Sequence, residues 1–339
     1  MVKAVAVDVE GDACVVRKPS EGNRLYSKGC YGIKEKEYLL NLVETCYLIE
    51  KGRVEARRKG KKINLEKFME YALEYIPDFE IKYLVYRDLR ERGYILTIDN
   101  HFYLYERGKR PPSPPSYIVM PISERAIFSI NRLAKWLQEI EKKLMIGIVD
   151  EEGDLTYYIA KFFRLKGSFD EHEYRGEVYL LKDRCIVWDE KLIDALKEDF
   201  IGKSLNNFML LSLTEAAYIG ERGVKIMKDE KEMKDDEFMK YAKKIQPDIM
   251  ERFAVYKDLR SKGLLPKTGF KFGSHFRIYD KEPYATHAPY LVHVVKRNYR
   301  CSWAEISRAI RLAHSVKKEM IFAIVENDIK YIRLKRITP

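Results

Sequence analysis

Apolar and polar positions along the 339-residue chain follow two periods, and the pattern occurs twice. Near-alternation of apolar residues over Phe102 to Tyr105, and again over Phe270 to Tyr279, predicts short strands. Ile306, Ile310, Ala313 and Val316 recur at three- and four-residue intervals, which predicts one apolar face of a long helix. Ser302, with Glu305 three residues later, reads as the capping box that starts it. The segments at Tyr86-Arg87-Asp88-Leu89-Arg90 and Tyr256-Lys257-Asp258-Leu259-Arg260 predict helices. Gly93 and Gly263 stop them, because glycine enters the left-handed position after a helix without a Cβ clash. Polar, proline-bearing loops follow the strands: Arg110-Pro111-Pro112-Ser113-Pro114-Pro115 in one place and Glu282-Pro283-Tyr284-Ala285-Thr286-His287 in the other. A strand, a long helix and a closing β-hairpin then complete each unit. Val178 to Leu181 and Ile186 to Trp188 predict additional strands.

The two units are copies. Val85 to Gly93 reappears as Val255 to Gly263, and Phe68 to Ala72 as Phe238 to Ala242, both at an offset of 170. Phe102 to Tyr105 matches Phe276 to Tyr279 at 174, and Lys142 to Ile146 matches Lys317 to Ile321 at 175. Two copies are too few for a solenoid, so tandem domains are expected. The expected fold class is α/β, an α+β-like tandem repeat, each repeat having a helical N-terminal subdomain and a mixed-sheet subdomain. The boundaries read as a first repeat over 1–165, a linker with candidate strands over 166–205, and a second repeat over 206–339, helical to 265 and sheet-based from 266.

Apolar residues make up 46% of the chain and charged residues 34%, which excludes a disordered chain. No run of about 18 apolar residues occurs, and Asp8 arrives too early for a secretory leader. A soluble, cytoplasmic protein with no membrane partner is therefore expected. Cys14, Cys30, Cys46, Cys185 and Cys301 are odd in number, with no metal-ligand spacing, and read as free buried thiols. The net charge of +11 lies in residues 251–339, which hold 19 Lys or Arg against 8 Asp or Glu. A basic surface interleaved with Tyr and Phe suits nucleic acid, although a solvated basic face, a small polyanion or a membrane surface also fits it.

The six histidines offer no H-E-x-x-H pair, there is no phosphate-binding Gly-Lys-Ser/Thr loop, and the basic quarter has few clustered carboxylates. Phosphate chemistry without a metal or other cofactor is the better candidate, and it needs an acid, a base and a fixed cation. The second copy supplies Tyr279 at a strand end, His287 in the following loop and Lys318 at a helix end, with Arg311 one heptad before it. The first copy has Tyr105 and Lys143 at the matching places, but Pro114 where His287 falls and Trp136 at Arg311. It therefore lacks the one group that titrates near neutral pH. The plainer reading stays open on the residues alone: an edge aromatic, a polar loop residue and a cation at a helix C-terminus.

The run Lys267-Thr268-Gly269-Phe270-Lys271-Phe272-Gly273-Ser274-His275-Phe276-Arg277-Ile278-Tyr279, then His287-Ala288-Pro289-Tyr290-Leu291-Val292, resembles the tRNA-splicing endonuclease family. So do Ser307 to Ala313 and Val316-Lys317-Lys318, and the whole chain resembles the archaeal two-repeat, homodimeric type. The likeness is densest over about 250–335 and implies a sheet like that of restriction endonucleases. It implies that Tyr279 takes the proton from a ribose 2′-hydroxyl, that His287 protonates the departing 5′-oxygen, and that Lys318 stabilises the phosphoryl charge. One extra residue precedes the helix, so Lys317 competes with Lys318 for the lysine role, although the frame Val-Lys-Lys-x-Met favours Lys318. A phenol is only about one part in a thousand ionised at pH 7, so Tyr279 would need cations nearby.

The implied partner is a precursor tRNA with a bulge–helix–bulge at its intron junctions, cut without metal to a 2′,3′-cyclic phosphate and a 5′-hydroxyl. Arg311 and Arg333 would clamp a splayed base. The acidic loop Asp150-Glu151-Glu152-Gly153-Asp154 would face a basic pocket of a second copy of the chain, or is an ordinary hairpin turn. The closing strand Ile329 to Leu334 is expected to expose an edge that pairs across the dimer axis. A non-catalytic RNA-binding subunit and a metal-dependent nuclease are the competing functions. The intact Tyr279, His287 and Lys318 set argues against the first, and the missing acidic cluster against the second.

Overall fold

A computed structural model describes residues 4–140, 142–281 and 286–339. The first repeat runs β1 (Val5–Glu10), β2 (Ala13–Val16), α1 (Pro19–Gly29), β3 (Ile33–Lys34), β4 (Tyr38–Asn41), α2 (Leu42–Glu50), β5 (Val54–Arg58), β6 (Lys61–Lys62), α3 (Leu65–Tyr75) and α4 (Phe79–Glu91). It continues with β7 (Leu96–Ile98), β8 (Phe102–Leu104), β9 (Tyr117–Ser123), β10 (Ile127–Ser129), α5 (Ile130–Glu139), β11 (Lys143–Val149) and β12 (Leu155–Phe162). The second repeat has the same order. Its first part is β13 (Glu177–Leu180), β14 (Arg184–Val187), α6 (Glu190–Glu198), β15 (Lys203–Leu205), β16 (Phe208–Ser212), α7 (Leu213–Gly220), β17 (Lys225–Lys228), β18 (Lys231–Met233), α8 (Asp235–Ile245) and α9 (Ile249–Ser261). Then come β19 (Leu265–Thr268), β20 (Phe276–Tyr279), β21 (Tyr290–Lys296), β22 (Arg300–Ser302), α10 (Trp303–Ser315), β23 (Glu319–Val325) and β24 (Lys330–Ile337).

The fold is mixed α/β and tandem, as the pattern predicts. The first part of each repeat, read as helical, also contains a six-stranded sheet, ordered β3-β4-β2-β1-β5-β6 and β15-β16-β14-β13-β17-β18. Short strands such as Val5-Ala6-Val7-Asp8-Val9 alternate cleanly between buried and half-buried positions. The stretch 166–205 holds α6 and supplies β13, β14 and β15 to the second of these sheets. Ahead of it, the chain is tied down too: Leu165 and Tyr174 join the second repeat's core, and Glu171 pairs with Arg260. Gly167 is required there, since a Cβ would sit 1.8 Å from the Gly263 carbonyl oxygen. The strand expected over Phe270 to Tyr279 is confined to Phe276–Tyr279. Phe270–Phe272 forms a single 3₁₀ turn closed by Gly273 at φ 62°.

The later parts of both repeats form one ten-stranded sheet, ordered β19-β20-β21-β23-β24-β12-β11-β9-β8-β7. The halves join where β24 pairs antiparallel with β12, placing Leu334 opposite its own counterpart Ala160. On one face, α5 and α10 cover a core drawn from both repeats, including Phe128, Ile146 and Tyr158 with Trp303, Phe322 and Ile332. On the other, α4 and α9 each cover one half. The closing strand is therefore not an exposed edge: β24 lies between β23 and β12, and its expected pairing across a dimer axis is replaced by pairing within the chain. Ile332 and Leu334 are fully buried there, on the face that period-2 alternation makes apolar. Among the described residues no helix is long and apolar enough to cross a membrane.

Candidate active site

Three elements meet at Ala288. β20 ends at Tyr279, whose side chain is buried in a small cluster with Leu265 and Ala288. Residues 286–289 lead into β21, while 282–285 of the predicted loop lie outside the described residues. From the far side, the Lys318 ammonium donates to the Ala288 carbonyl oxygen at 2.6 Å, and the Glu319 N–H donates to Pro289 O at 2.9 Å. Tyr279 and Lys318 thus converge on the residue next to His287, which is itself exposed to solvent.

The end of α10 separates the two lysines. The Lys317 N–H donates to His314 O at 3.0 Å and the Lys318 N–H to Ala313 O at 2.9 Å, which close the helix. Lys317 takes the left-handed conformation at φ 56° and is exposed. Lys318, one residue on, turns back to the loop. Burial pulls its ammonium below the usual lysine range, and Arg277 pushes in the same direction. Arg277 also lies 5.7 Å from the centre of the Tyr279 ring, and Lys318 lies 5.5 Å from that of Phe272. Arg277 carries no motif signal of its own, yet it stands two residues before Tyr279 and so shares its face of the strand. In the same 3₁₀ turn as Phe272, Phe270 is 87% exposed, an aromatic surface that water alone does not favour.

The positive charge of residues 251–339 is partly spent on acids elsewhere in the chain: Lys257 pairs with Glu221, Arg260 with Glu171 and Arg252 with Asp248. Exposed Lys271, Lys281, Arg300, Arg308, Arg311 and Lys317 present charge to solvent. His275 is a different case. Its Nδ1 accepts from the Val294 N–H at 2.9 Å, its ring lies 4.6 Å from that of His293, and desolvation lowers it to about 4. That histidine is a neutral part of the sheet.

The first copy keeps the architecture. Leu104 lies opposite Tyr117 as Ile278 lies opposite Tyr290, so Tyr105 occupies the place of Tyr279. Two other correspondences change. Lys143 pairs with Tyr117 where Glu319 pairs with Tyr290, which makes Lys142 the counterpart of Lys318. Counting from the helix caps Ser129 and Ser302, the counterpart of Arg311 is Gln138, not Trp136. The cause is length, because α5 has 10 residues and α10 has 13.

Arg311 and Arg333 are not brought together. Arg333 alternates with Ile332 and Leu334, which face the α10 side, so it projects from the opposite face. There it pairs with Glu319 at 2.7 Å and lies 4.7 Å from the Phe163 ring. Arg311, on α10, lines a cleft of about 500 Å³ with Arg336, Asp150 and Asp154 of its own chain. In the acidic hairpin, the Asp150 carboxylate accepts from the Glu152 and Asp154 N–H groups, and Glu151 pairs with Arg125 at 2.8 Å. Glu152 and Asp154 are exposed.

The comparisons decide the family. Residues 79–157 and 249–331 match the description "tRNA intron endonuclease, catalytic C-terminal domain", and residues 5–69 and 176–239 match its N-terminal domain. The chain belongs to the tRNA intron endonuclease family. It is an RNA-cleaving endonuclease with both family domains present twice. It is similar to a tRNA-splicing endonuclease of Methanococcoides burtonii, 39% identical over 93% of this chain and 95% of that one. A tRNA-splicing endonuclease of Methanosarcina acetivorans is 35% identical over 97% and 98%. One from Pyrococcus horikoshii is 40% identical over 45% of this chain but 89% of its own length, the span of a single repeat.

Proposed function

We propose that this tRNA intron endonuclease cuts precursor tRNA at bulge–helix–bulge intron junctions by attack of the 2′-hydroxyl, with no metal. The convergence of Tyr279 and Lys318 on Ala288, beside exposed His287, carries the reading. The Tyr279 phenolate accepts the 2′-hydroxyl proton, the 2′-oxygen forms a bond to phosphorus, and the bond from phosphorus to the 5′-oxygen breaks. The His287 imidazolium supplies the proton to that leaving oxygen. Lys318 stabilises the charge on the non-bridging oxygens. Arg277 stands beside the Tyr279 ring, 5.7 Å from its centre. Arg311 and Arg333 enter as separate RNA contacts rather than as one clamp within a protomer. Incubation with an intron-bearing precursor in EDTA, with end-group analysis, is expected to give a 2′,3′-cyclic phosphate. A 3′-hydroxyl product, or no cleavage in EDTA, overturns the reading.

The same reading includes a homodimer. Excision needs two cuts, and one complete residue set per chain then needs two chains, which a twofold axis presents equivalently. With β24 already paired, the acidic hairpin of one chain against the basic second repeat of another is the contact that supports it, contributing steering and register. Asp150 holds the hairpin together and Glu151 is paired within the chain, so the informative reversal is Glu152→Lys with Asp154→Lys. Light scattering is expected to show a weakened dimer and loss of cleavage. A wild-type monomer removes the proposal, and an unchanged, active dimer reduces the hairpin to a turn.

A further inference from the structure

The two copies differ at one position of the matching strand pair, Lys267 opposite Arg277 in the second repeat and Thr97 opposite Tyr103 in the first. In the second repeat, Glu215 on α7 accepts from the Gly202 N–H at 3.0 Å, and the Lys267 ammonium donates to the Gly202 carbonyl oxygen at 2.7 Å, 4.0 Å from Glu215. The first repeat reproduces the acid and the glycine. Glu44 on α2 accepts from the Gly32 N–H at 3.3 Å, and both glycines have positive φ, 74° and 69°. The lysine is missing. Thr97 pairs with Tyr103 as Lys267 pairs with Arg277, so Thr97 stands where Lys267 would. Among the described residues a cavity of about 500 Å³ opens there, lined by Glu44, Gly32, Thr97, Asp99, Tyr26 and Tyr38.

The chemistry of the lining follows from the comparison. Glu44 is 2% exposed, and its burial holds its carboxyl up to about 7 in spite of Arg90 nearby. Arg90 does not take the lysine's place, since its guanidinium donates to Gly29 O at 2.8 Å and lies 3.9 Å from the Tyr31 ring. A buried carboxylate without its cation is costly, and a cation entering the cavity relieves that cost. Tyrosine rings add attraction for an ammonium. Lys34 also borders the cavity and is exposed.

We propose that this cavity of the first repeat is a binding site for a linear primary alkylammonium, such as the end of a diamine, whose head replaces the Lys267 ammonium beside Glu44. The volume exceeds one lysine side chain, and Asp99 offers a second carboxylate for a second ammonium. The test is calorimetric titration of the full-length protein, without RNA, with 1,4-diaminobutane against a potassium chloride control of equal ionic strength. Saturable binding is expected for the wild type. Thr97→Lys is expected to abolish it, because the introduced side chain occupies the site, and to leave the melting temperature equal or higher. Glu44→Gln is expected to weaken binding at least about tenfold, as removing the partner of a buried ion does. Absence of saturable binding above the control, or equal binding by Thr97→Lys, overturns the proposal. A Thr97→Lys protein that fails to fold also overturns it, since the space would then not accept an alkylammonium.

Discussion

Replacing Lys318 by Gln is the sharpest perturbation of the proposed site. Glutamine removes the charge and, being shorter, loosens the tether that Lys318 makes to the Ala288 carbonyl oxygen at 2.6 Å. The charge is the larger loss. A unit charge about 4 Å from a phosphoryl oxygen is worth about 4 kcal/mol at an effective dielectric of 20. Lys318 is half-buried, and partial solvent screening lowers that figure. A loss of about 10²–10³-fold in the cleavage step follows, the size seen when one preorganised donor is removed. Lys317 provides the control. It is exposed and left-handed at φ 56°, a conformation that costs a non-glycine residue about 1–2 kcal/mol. Lys317→Gly is thus expected to keep the rate constant within about threefold while raising thermal stability. Single-turnover cleavage at saturating enzyme isolates the step. Equal losses at the two positions, or a Lys318→Gln protein within about fivefold of wild type, would refute the assignment.

Three further outcomes are expected. His287→Ala slows single-turnover cleavage by about 10²–10⁴-fold with RNA affinity little changed, whereas His172→Ala, which loses a 2.7 Å contact to Asp199 outside the site, leaves the rate near wild type; comparable losses would mean the wrong histidine. RNA affinity falls steeply with salt because Lys271, Lys281 and Arg308 are exposed for phosphate contacts, and a binding constant flat across 50–200 mM salt (roughly the range over which counterion release is felt) would contradict that face. His275 is neutral when folded, down to about 4, while the unfolded chain takes its proton near the ordinary value; stability is therefore lost as pH falls through that window. The loss is on the order of 3 kcal/mol, and His275→Asn, which can still accept from the Val294 N–H, should flatten melting temperature against pH there; an unchanged slope would count against it.

Local signals carried much of the fold. The capping residue Ser302, whose hydroxyl accepts from the Glu305 N–H at 3.2 Å, and the duplication both read directly from residue spacing. The first six-stranded sheet was harder to see because its strands are short, and two of them, β3 and β6, have two residues each. Period-2 alternation needs more length than that. The closing strand illustrates a different limit: its apolar face was visible, but whether a partner came from within or outside the chain depends on long-range topology. Counting along the sequence also misaligned Lys143 and Trp136, because a three-residue difference in helix length has no local signature until strand register fixes both ends.

Duplication offers a control that a single-copy protein lacks. Residues serving the fold should persist in both copies, whereas a group needed only for cutting is free to be lost from one. Arg90 and Arg260 are both buried and both donate to a backbone carbonyl at the same place, Gly29 O and Asp199 O. Glu44 and Glu215 both hold a left-handed glycine. These pairs are structural by that criterion, however unusual their burial. At the candidate site the second copy has His287 and Arg311 where the first has Pro114 and Gln138, while the tyrosine and lysine persist in both. A tyrosine and a lysine without the histidine can still bind phosphate, but they cannot return a proton to the leaving oxygen near neutral pH. On the proposed reading, the first copy keeps two of the three groups and lacks the proton donor. Thr97 is the exception: there the second copy has a structural lysine and the first does not, and Thr97 lines the space in the first repeat.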